Sequence, residues 1–426
     1  MQNGDDMTLI DPIPLPAQDA QLLTAENRKA LTRHLPAMVR QALGILTTLE
    51  YGTLDIALPG GACFRIETST PQPSADITIR SYDFIAKAIR RGDIGVAEGF
   101  MDAEWSSTDL TRFLELFCYN AHLIHERIDS NPIARLMLRF QHWLNRNTKT
   151  QARRNIAAHY DLGNPFYELW LDPSMTYSSA LYQTGAEDLE TAQRAKYAAL
   201  ADAVRVQPGE RVLEIGCGWG GFAAYLAKER GAQVTGLTIS QEQLEFGRAH
   251  IERLGLAGLV DLQLRDYRAE DGKYDRIVSV EMFEAVGEAY WPDFFDMLAR
   301  CLKPGGRAGL QVITIQEKYF EHYRRGTDFI QHYVFPGGML PTPTHLRTLG
   351  HEAGLDQISE RVFGESYART LSEWRAAFLQ NWDEIAPMGF DDRFKRLWLY
   401  YFHYCEAGFR AGNIDVRQVI YDHAQN

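Results

Sequence analysis

A glycine-rich turn between an apolar strand and a helix is the feature that most constrains the fold of this chain. Residues 212–221 read VLEIGCGWGG, so closely spaced glycines follow an apolar run, and Glu214 lies two positions before Gly216. Glycine adopts positive φ angles without strain and lets the backbone approach a ligand, and the following helix points free N–H groups at the same place. The sequence therefore predicts a nucleotide-type binding turn between a strand and a helix.

An alternation of strand-like and helix-like segments surrounds this turn. The predicted strands cover residues 211–215, 233–237, 259–264, 275–280 and 307–315, and the predicted helices cover residues 219–230, 240–254 and 290–302. This alternation favours an α/β fold with a doubly wound, mostly parallel, Rossmann-like sheet that binds ligands at the carboxyl ends of its strands. Residues 1–125 mix short strands with helical patterns and predict a smaller N-terminal α+β domain.

The glycine turn alone does not identify the ligand. Its glycines, beginning at Gly216, also fit the G-x-G-x-x-G pattern of dinucleotide enzymes, which place an acid for the ribose hydroxyls about 20 residues on. Residues 234–240, VTGLTIS, contain no acid, and this counts against NAD. Glu214 before the glycines, with Thr238 and Gln243 after the second strand, instead favours an S-adenosylmethionine-dependent methyltransferase.

Composition and charge exclude several other classes of protein. The chain of 426 residues is 45% hydrophobic with a net charge of −12, which counts against a general nucleic-acid binder. The five cysteines have no paired spacing, so we expect neither a disulfide nor a metal site. No apolar run approaches the roughly 18 residues of a membrane span, and the acidic N-terminus lacks a signal peptide. We therefore expect a cytoplasmic protein.

A basic, amphipathic segment follows the N-terminal region. Residues 130–160 contain no Asp or Glu. The cations of this segment are Arg135, Arg139, Arg146, Lys149, Arg153 and Arg154, and the apolar residues at helical spacing are Ile133, Leu136, Met137, Phe140, Trp143 and Leu144. Such a helix suits the surface of an anionic bilayer, but it also suits a linker helix that docks its apolar stripe on a domain.

Several further motifs, in a fixed order, resemble one family. They are HYDLGN at 159–164, LDPSMTYS at 171–178, the glycine turn, LTIS at 237–240, VSVEMFE at 278–284 and FPGG at 335–338. Together they resemble the cyclopropane-fatty-acyl-phospholipid synthases and the related mycolic-acid methyltransferases, over nearly the whole chain. The resemblance implies methyl transfer from S-adenosylmethionine to a double bond in a phospholipid acyl chain. It also implies a lipid-engaging domain at 1–125, a basic linker helix at 126–158 and a class I methyltransferase domain at 159–426.

The turn and the resemblance together assign residues to two groups. The expected cofactor contacts are Tyr177, Ser178, Glu214, Gly216, Gly218, Gly220, Thr238, Gln243 and Tyr267. For the chemistry, the resemblance implies Glu284 and Tyr367 as the active-site carboxylate and phenol. The other expected residues of this group are Ser179, Gln311 and Ile313. In the family this group holds a bicarbonate, which takes a proton from the methylated cation.

The chain departs from the family pattern at two of these positions. Where ring-forming members typically carry Cys it has Ser179, and where they carry His it has Gln311. Glutamine cannot carry a positive charge or shuttle a proton near neutral pH as histidine can, and this counts against bound bicarbonate. The carbocation then either closes a cyclopropane or loses its proton elsewhere to leave a methyl-branched unsaturated chain, and both products stay open.

Other interpretations remain at this stage. The aromatic segment 316–345 either roofs a pocket for an apolar substrate or packs as ordinary helix. Two alternative functions also stay open for the whole chain. One is a methyltransferase that acts on a small soluble nucleophile, and the other is a lipid-binding protein without turnover. The expected partners are unsaturated acyl chains and an anionic phospholipid bilayer, at the inner face of the membrane, and no nucleic acid. The sequence leaves the oligomeric state open, a homodimer included.

Overall fold

The structure, a computed structural model, describes residues 20–123 and 162–423. The described residues form two compact units. One unit comprises residues 20–123 together with Phe390–Ala411, and the other comprises residues 162–389 together with 412–423. The predicted basic helix at 126–158 lies outside the described residues.

The secondary structure of the described residues is numbered here in chain order. The strands are β1 Gln21–Leu22, β2 Tyr51–Ala57, β3 Cys63–Glu67, β4 Thr70–Ile79, β5 Trp105–Ser106, β6 Arg211–Ile215, β7 Gln233–Thr238, β8 Val260–Leu264, β9 Tyr274–Val280, β10 Leu302–Ile315, β11 Leu355–Val362 and β12 Ile414–His423. The α-helices are α1 Arg28–Leu31, α2 Ala37–Leu46, α3 Asp83–Arg91, α4 Asp93–Met101, α5 Leu110–Tyr119, α6 Asn164–Glu168, α7 Leu189–Ala203, α8 Gly221–Arg230, α9 Gln241–Arg253, α10 Trp291–Cys301, α11 Glu317–Tyr323, α12 Pro343–Glu352, α13 Gly364–Gln380, α14 Trp382–Ile385 and α15 Asp392–Arg410.

The first unit is a small sheet with helices. Its five strands lie in the order β1-β3-β2-β4-β5, with β2 parallel to β4 and antiparallel to β3. Side chains of β2 alternate, so that Leu54 and Ile56 are buried and their neighbours are less so, as expected of a strand with one face on a core. Helix α5 packs on β4 and buries Phe113 and Leu116. The predicted N-terminal α+β domain is confirmed.

Helix α15 belongs to this first unit, although it lies far along the chain. It packs on α4 and α5. The Thr111 hydroxyl of α5 donates to Glu406 Oε2 at 3.2 Å and lies 2.6 Å from His403 Nδ1. The compact units therefore divide the chain differently from the sequence-based boundaries, which left this helix in the domain at 159–426.

The second unit is built on the predicted doubly wound sheet. Its seven strands lie in the order β11-β12-β10-β9-β6-β7-β8. The neighbours from β10 to β8 are all parallel, and β12 is antiparallel to both β10 and β11. Residues 212–215 of the central strand β6 are all buried, which is typical of a parallel strand covered on both faces. The carboxyl ends of β6, β7, β8, β9 and β10 consequently share one edge of the sheet.

Most predicted boundaries in this unit lie within one residue of the observed ones. The exceptions have local causes. The helix predicted to begin at 219 begins at Gly221, because Gly220 is in the left-handed conformation. The last predicted strand, 307–315, extends back to Leu302, but its pairing with β9 is irregular between Leu302 and Arg307.

Three further structural features bear on function, namely membrane-spanning helices, disulfides and metal sites. None of the helices at 20–123 and 162–423 has the length and apolar character needed to cross a bilayer. All five cysteines are free thiols. Within the same two ranges, no group of His, Cys, Asp and Glu side chains is arranged to hold a metal ion.

Candidate active site

The glycine turn joins β6 to α8 at the carboxyl edge of the sheet. Gly216, Gly218 and Gly220 have φ angles of +78°, +53° and +85°, which residues with a Cβ rarely adopt. The N–H groups of Gly216 and Cys217 both donate to the Leu237 carbonyl at 2.9 Å. These two hydrogen bonds fasten the turn to β7.

Two glycines of the turn meet different surroundings. A Cβ added to Gly216 would lie 2.6 Å from Cγ of Met282, so this glycine permits close packing of the chain on itself. A Cβ added to Gly218 would meet none of the described atoms within 4 Å. Gly218 therefore borders open space, as the backbone of a ligand-binding turn must.

Glu214, on β6, provides a second sign of a ligand beside the turn. It is 3% exposed, and its Oε2 has no hydrogen-bond partner among residues 20–123 and 162–423. Burial raises the pKa of Glu214 to about 8. Buried polar atoms are nearly always hydrogen-bonded in folded proteins. An orphaned carboxylate oxygen next to an open glycine turn therefore fits a ligand that donates hydrogen bonds, such as the amino group of S-adenosylmethionine.

The other predicted cofactor residues of the sheet follow neighbouring strands. Thr238 ends β7 and donates a 3.0 Å hydrogen bond to the side-chain oxygen of Gln243, in the first turn of α9. Tyr267 follows β8 in a 3₁₀ turn, with its ring centroid 5.4 Å from that of Phe294. These residues therefore follow the same edge of the sheet as the glycine turn.

The loop before α7 carries three consecutive predicted residues with different contacts. Tyr177 lies among aromatic rings, and the hydroxyl of Ser178 accepts a 2.7 Å hydrogen bond from Nζ of Lys196. The next residue, Ser179, donates its backbone N–H to the carboxylate of Glu281 at 2.9 Å. This loop thus links an aromatic cluster, a buried cation and a carboxylate.

Lys196 was not predicted as a site residue. It lies on α7, is fully buried, and burial lowers the pKa of its ammonium to about 8. The helical pattern carried a signal for it, because Lys196 is spaced four residues from both Ala192 and Leu200, which are also fully buried. A lysine on the buried stripe of a helix is unusual and needs a partner.

Glu281 is the second residue that the sequence analysis missed. It follows β9, within the VSVEMFE motif, and its carboxylate accepts three hydrogen bonds. Oε1 accepts from the Ser179 N–H at 2.9 Å and from Nε2 of Gln311 at 2.8 Å, and Oε2 accepts from the Tyr367 hydroxyl at 2.7 Å. Burial raises the pKa of Glu281, while Lys196 and these donors oppose the rise.

Glu284, the carboxylate that the resemblance assigns, lies three residues further on. Its Oε1 accepts from the N–H of Ile313 at 2.6 Å, and its Oε2 has no partner in the part of the chain that the structure describes. Burial raises the pKa of Glu284 to about 8, and the nearby charge of Glu281 adds to the rise. The structure therefore brings three of the expected chemistry residues to Glu281 and one, Ile313, to Glu284.

An aromatic cluster surrounds Tyr177. The ring centroids of Trp170 and Trp374 lie 5.4 Å and 5.3 Å from that of Tyr177. The ring of Tyr367 lies 6.1 Å from Trp374, edge to face. The phenol that donates to Glu281 is thus packed against this cluster. Aromatic faces attract cations, so the cluster suits a site in which positive charge develops.

The aromatic segment 316–345 contacts the same region. The ring of Phe335 lies 6.2 Å from that of Tyr177, and the N–H of Met339 donates to the Glu284 carbonyl at 2.8 Å. The segment contains α11 and a π-helical turn, Ile330–Val334. It is therefore a part of the site's wall, which is the position expected of a cover over an apolar substrate.

Comparison with known proteins gives consistent matches. Residues 147–419 match the mycolic acid cyclopropane synthetase family. The chain is 39% identical over 372 residues to tuberculostearic acid methyltransferase UfaA1 of Mycobacterium tuberculosis, covering 82% of this chain and 84% of that protein. It is 36% identical over 352 residues to the cyclopropane-fatty-acyl-phospholipid synthase of Escherichia coli K12, covering 82% of this chain and 87% of that protein.

Solved structures agree with these sequence matches. The cyclopropane synthase MmaA2 from Mycobacterium tuberculosis superposes with a TM-score of 0.60 at 29% identity, over 63% of this chain and 97% of that chain. The mycolic acid cyclopropane synthase CmaA1, complexed with SAH and CTAB, matches with the same values. Open space at Gly218 and the orphaned oxygen of Glu214 fit the methyl donor of such enzymes. The chain is therefore a member of the mycolic acid cyclopropane synthetase family, an α/β enzyme that uses S-adenosylmethionine as its methyl donor.

Proposed function

We propose that this enzyme transfers a methyl group from S-adenosylmethionine to a double bond in an unsaturated acyl chain of a membrane phospholipid. One observation carries the proposal. Residues 177–179 join the aromatic cluster, the buried Lys196 and the Glu281 carboxylate, and Met282, next to that carboxylate, packs on Gly216 of the cofactor turn. These contacts support a site in which the methyl donor, a proton acceptor and an apolar wall share one region of the second unit.

The chemistry of an alkene explains why these features are needed together. An alkene is a weak nucleophile, so its π bond must be held in line with the sulfonium methyl group, and such alignment supplies a large part of the barrier reduction. Methyl transfer leaves a carbocation on the acyl chain. The rings of Tyr177, Trp170 and Trp374 can stabilise this charge through their quadrupoles, and a carboxylate can accept a proton from it.

The names of the relatives support an acyl substrate over a small soluble nucleophile. The chain aligns with more than four fifths of a protein named as a tuberculostearic acid methyltransferase and of one named as a cyclopropane-fatty-acyl-phospholipid synthase. These two names differ in their product, a methylated acid in one and a cyclopropane in the other. We therefore keep both outcomes, ring closure and a methyl-branched unsaturated chain, for this enzyme.

Mass spectrometry of total fatty acids tests this function. Cells that express the chain are expected to contain acyl chains heavier by one CH₂ unit than those of control cells, with the added carbon derived from labelled methionine. Location of the double bonds then separates a ring from a methyl branch. Unchanged acyl chains, with label in a small soluble product, would instead identify a methyltransferase of small molecules. Unchanged acyl chains without consumption of S-adenosylmethionine would indicate a lipid-binding protein.

We further propose that the enzyme reaches its substrate as a peripheral, cytoplasmic protein bound to an anionic membrane through residues 126–158. This proposal rests on the sequence of that segment, in which cations alternate with an apolar stripe. Each Lys or Arg near an anionic surface contributes about 1 kcal/mol, and salt screens the attraction.

Charge reversal tests the membrane proposal. Replacement of Arg135, Arg139, Arg146 and Lys149 by Glu is expected to reduce the affinity for anionic vesicles, measured by sedimentation, by at least about tenfold. The four cations together contribute about 4 kcal/mol, which exceeds the 1.4 kcal/mol of a tenfold change. Lipid turnover should fall in parallel. A control with the same charge change reverses the exposed Lys228, Arg253, Arg347 and Arg361 of the second unit. Equal sedimentation of both variants would make the segment a linker only.

A further inference from the structure

We propose that Glu281 is the proton acceptor of the reaction, a base built into the protein at the position where the family resemblance puts bicarbonate. The inference rests on the proposed function, methyl transfer to an acyl double bond. Three of the residues that the resemblance assigns to the bicarbonate site hold the Glu281 carboxylate instead. The donors are the Ser179 N–H, the Gln311 side-chain amide and the Tyr367 hydroxyl, at 2.9, 2.8 and 2.7 Å.

The Glu281 carboxylate can take the place of bicarbonate because the two anions are chemically alike. A carboxylate and bicarbonate both present a planar pair of oxygens that share one negative charge, so donors arranged for one fit the other. Bicarbonate cannot take these donors while Glu281 holds them. The departure from the family pattern at Gln311 then belongs to this change, because its side-chain amide donates to Glu281. Ser179 donates through its backbone N–H, which a Cys would also provide.

The orientation of the Gln311 amide is fixed by a neighbour. Nε2 of Gln418 donates to Oε1 of Gln311 at 3.1 Å, which turns the Gln311 amide group so that its N–H faces Glu281. Gln418 also donates to the Lys196 carbonyl at 3.2 Å. A glutamine, unlike a histidine, is a donor here at every pH. It can therefore hold an ionised carboxylate without competing for its proton.

The backbone at Glu281 supports a functional role. Its φ angle is +49°, in the left-handed region that glycine adopts without strain and that other residues rarely adopt. Its N–H donates to the Gln311 carbonyl at 2.8 Å, which fixes this conformation just after β9. Such outliers cluster at active sites, where the surrounding structure maintains them. Here the conformation places a carboxylate on three converging donors.

Glu281 also lies close to the cofactor turn. Glu281 is only partly buried, whereas its three donor residues are buried. The next residue, Met282, is the one that a Cβ on Gly216 would touch. Glu281 therefore lies beside the glycine turn. Burial raises the pKa of Glu281, which makes its ionised form a stronger base than an exposed carboxylate.

The bonds and charges of the reaction balance with this base. When bound, S-adenosylmethionine supplies the methyl group to the alkene π pair, and the S–CH₃ bonding pair stays on sulfur as a neutral thioether. The acyl chain is left as a carbocation. Glu281 then takes a proton from one of two places. Removal from the added methyl group lets its C–H pair close a ring onto the cationic carbon, and removal from a carbon next to the cationic carbon lets that C–H pair form a double bond. Glu281 is left as a neutral acid, which returns its proton to water when the product leaves.

Bicarbonate dependence provides a test that needs no variant. In buffer depleted of CO₂, the wild-type enzyme is expected to methylate acyl chains in phospholipid vesicles at the same rate with and without added bicarbonate. A rate that falls on depletion and returns with bicarbonate would overturn the assignment. Absence of any acyl methylation by the wild type in both buffers would instead overturn the proposed function, so the two failures are distinguishable.

Substitution of Glu281 provides the second test. Glu281→Gln is expected to lower kcat by on the order of 10²–10⁴-fold, the usual contribution of a general base, and to leave S-adenosylmethionine affinity nearly unchanged in calorimetry. Glu252→Gln, an exposed matched control on α9, should keep the wild-type rate. A Glu281→Gln rate near the wild-type value would overturn the proposal.

Chemical rescue separates a base from a structural carboxylate. Glu281→Gly removes the carboxylate, suits the positive φ angle and frees the three donors for an external anion. Its activity is expected to be lost in depleted buffer and to return by at least tenfold with added bicarbonate, while cofactor binding stays constant. A folded Glu281→Gly enzyme that binds the cofactor and works equally well without bicarbonate would contradict a role for Glu281 as the base.

Discussion

Gly218→Val is expected to abolish binding of S-adenosylmethionine, and with it all turnover, while the protein stays folded. The position has a φ angle of +53°, which a β-branched residue does not adopt without strain. A Cβ there would meet no described atom within 4 Å, so the added side chain would occupy the space left for the cofactor. We expect the dissociation constant to rise by at least about 100-fold, which corresponds to about 2.7 kcal/mol.

Calorimetry measures this loss, and Gly255→Val is its matched control. Gly255 lies just after α9 at an exposed position, has a φ angle of +71°, and also has open space at its Cβ position. The control thus carries the same type of backbone strain away from the cofactor turn. Its cofactor affinity should equal that of the wild type. If the Gly218→Val variant binds S-adenosylmethionine with unchanged affinity, the cofactor does not bind at this turn.

Lys196→Met is expected to lower the free energy of unfolding by a large amount. Lys196 is fully buried, donates to Ser178 at 2.7 Å, and its positive charge lowers the pKa values of Asp172, Glu214 and Glu281, which burial raises. Methionine fills a similar volume but leaves these carboxylates without their cation. Removal of one partner from a buried charge group costs about 3–5 kcal/mol.

The pH dependence of this loss has a defined sign. Burial raises the pKa values of Asp172 and Glu281 above their ordinary values of 3.8 and 4.5, so the stability that these two carboxyls contribute is fully present below those ordinary values and is lost as the pH rises through their folded pKa values. Without Lys196 the carboxylate pKa values rise further. The difference in unfolding free energy between Lys196→Met and the wild type should therefore be large at pH 7 and shrink toward pH 4.5.

Denaturant unfolding at several pH values measures this difference. The exposed Lys228 on α8 supplies the matched control, Lys228→Met, which should unfold like the wild type at each pH. Equal stability of Lys196→Met and the wild type at pH 7 would show that the buried carboxylates do not depend on this cation.

Local patterns were sufficient to predict the strands and helices from β6 to β10 in the second unit. Strand β6 begins and ends at the predicted residues, 211 and 215. Strand β7 differs from its prediction by one residue at one end, and α9 by one residue at each end. Period-two and period-3.6 patterns and glycine clusters act over a few residues, so they can be read without a structure. The cofactor turn belongs to the same class, since its strand, glycines and helix are contiguous in the chain.

The grouping of distant segments could not be predicted in this way. Helix α15 is amphipathic in sequence, but nothing local indicates that it packs on α4 and α5, nearly 300 residues earlier. An apolar stripe requires burial without specifying a partner. The choice between two compact units is made by the shape and area of the surfaces that the folded chain offers.

The sequence alone determined the class of enzyme, and it predicted the cofactor turn and most of the residues proposed for the reaction centre. Only the tertiary structure decided which carboxylate those residues serve. Glu281 and Glu284 lie three positions apart in one motif, and both are acids near the end of β9. The donors of Glu281 come from residues 179, 311 and 367, on three other parts of the chain. A left-handed backbone at Glu281 and the packing of four separate segments direct those donors to it, and such long-range geometry leaves no pattern in neighbouring residues.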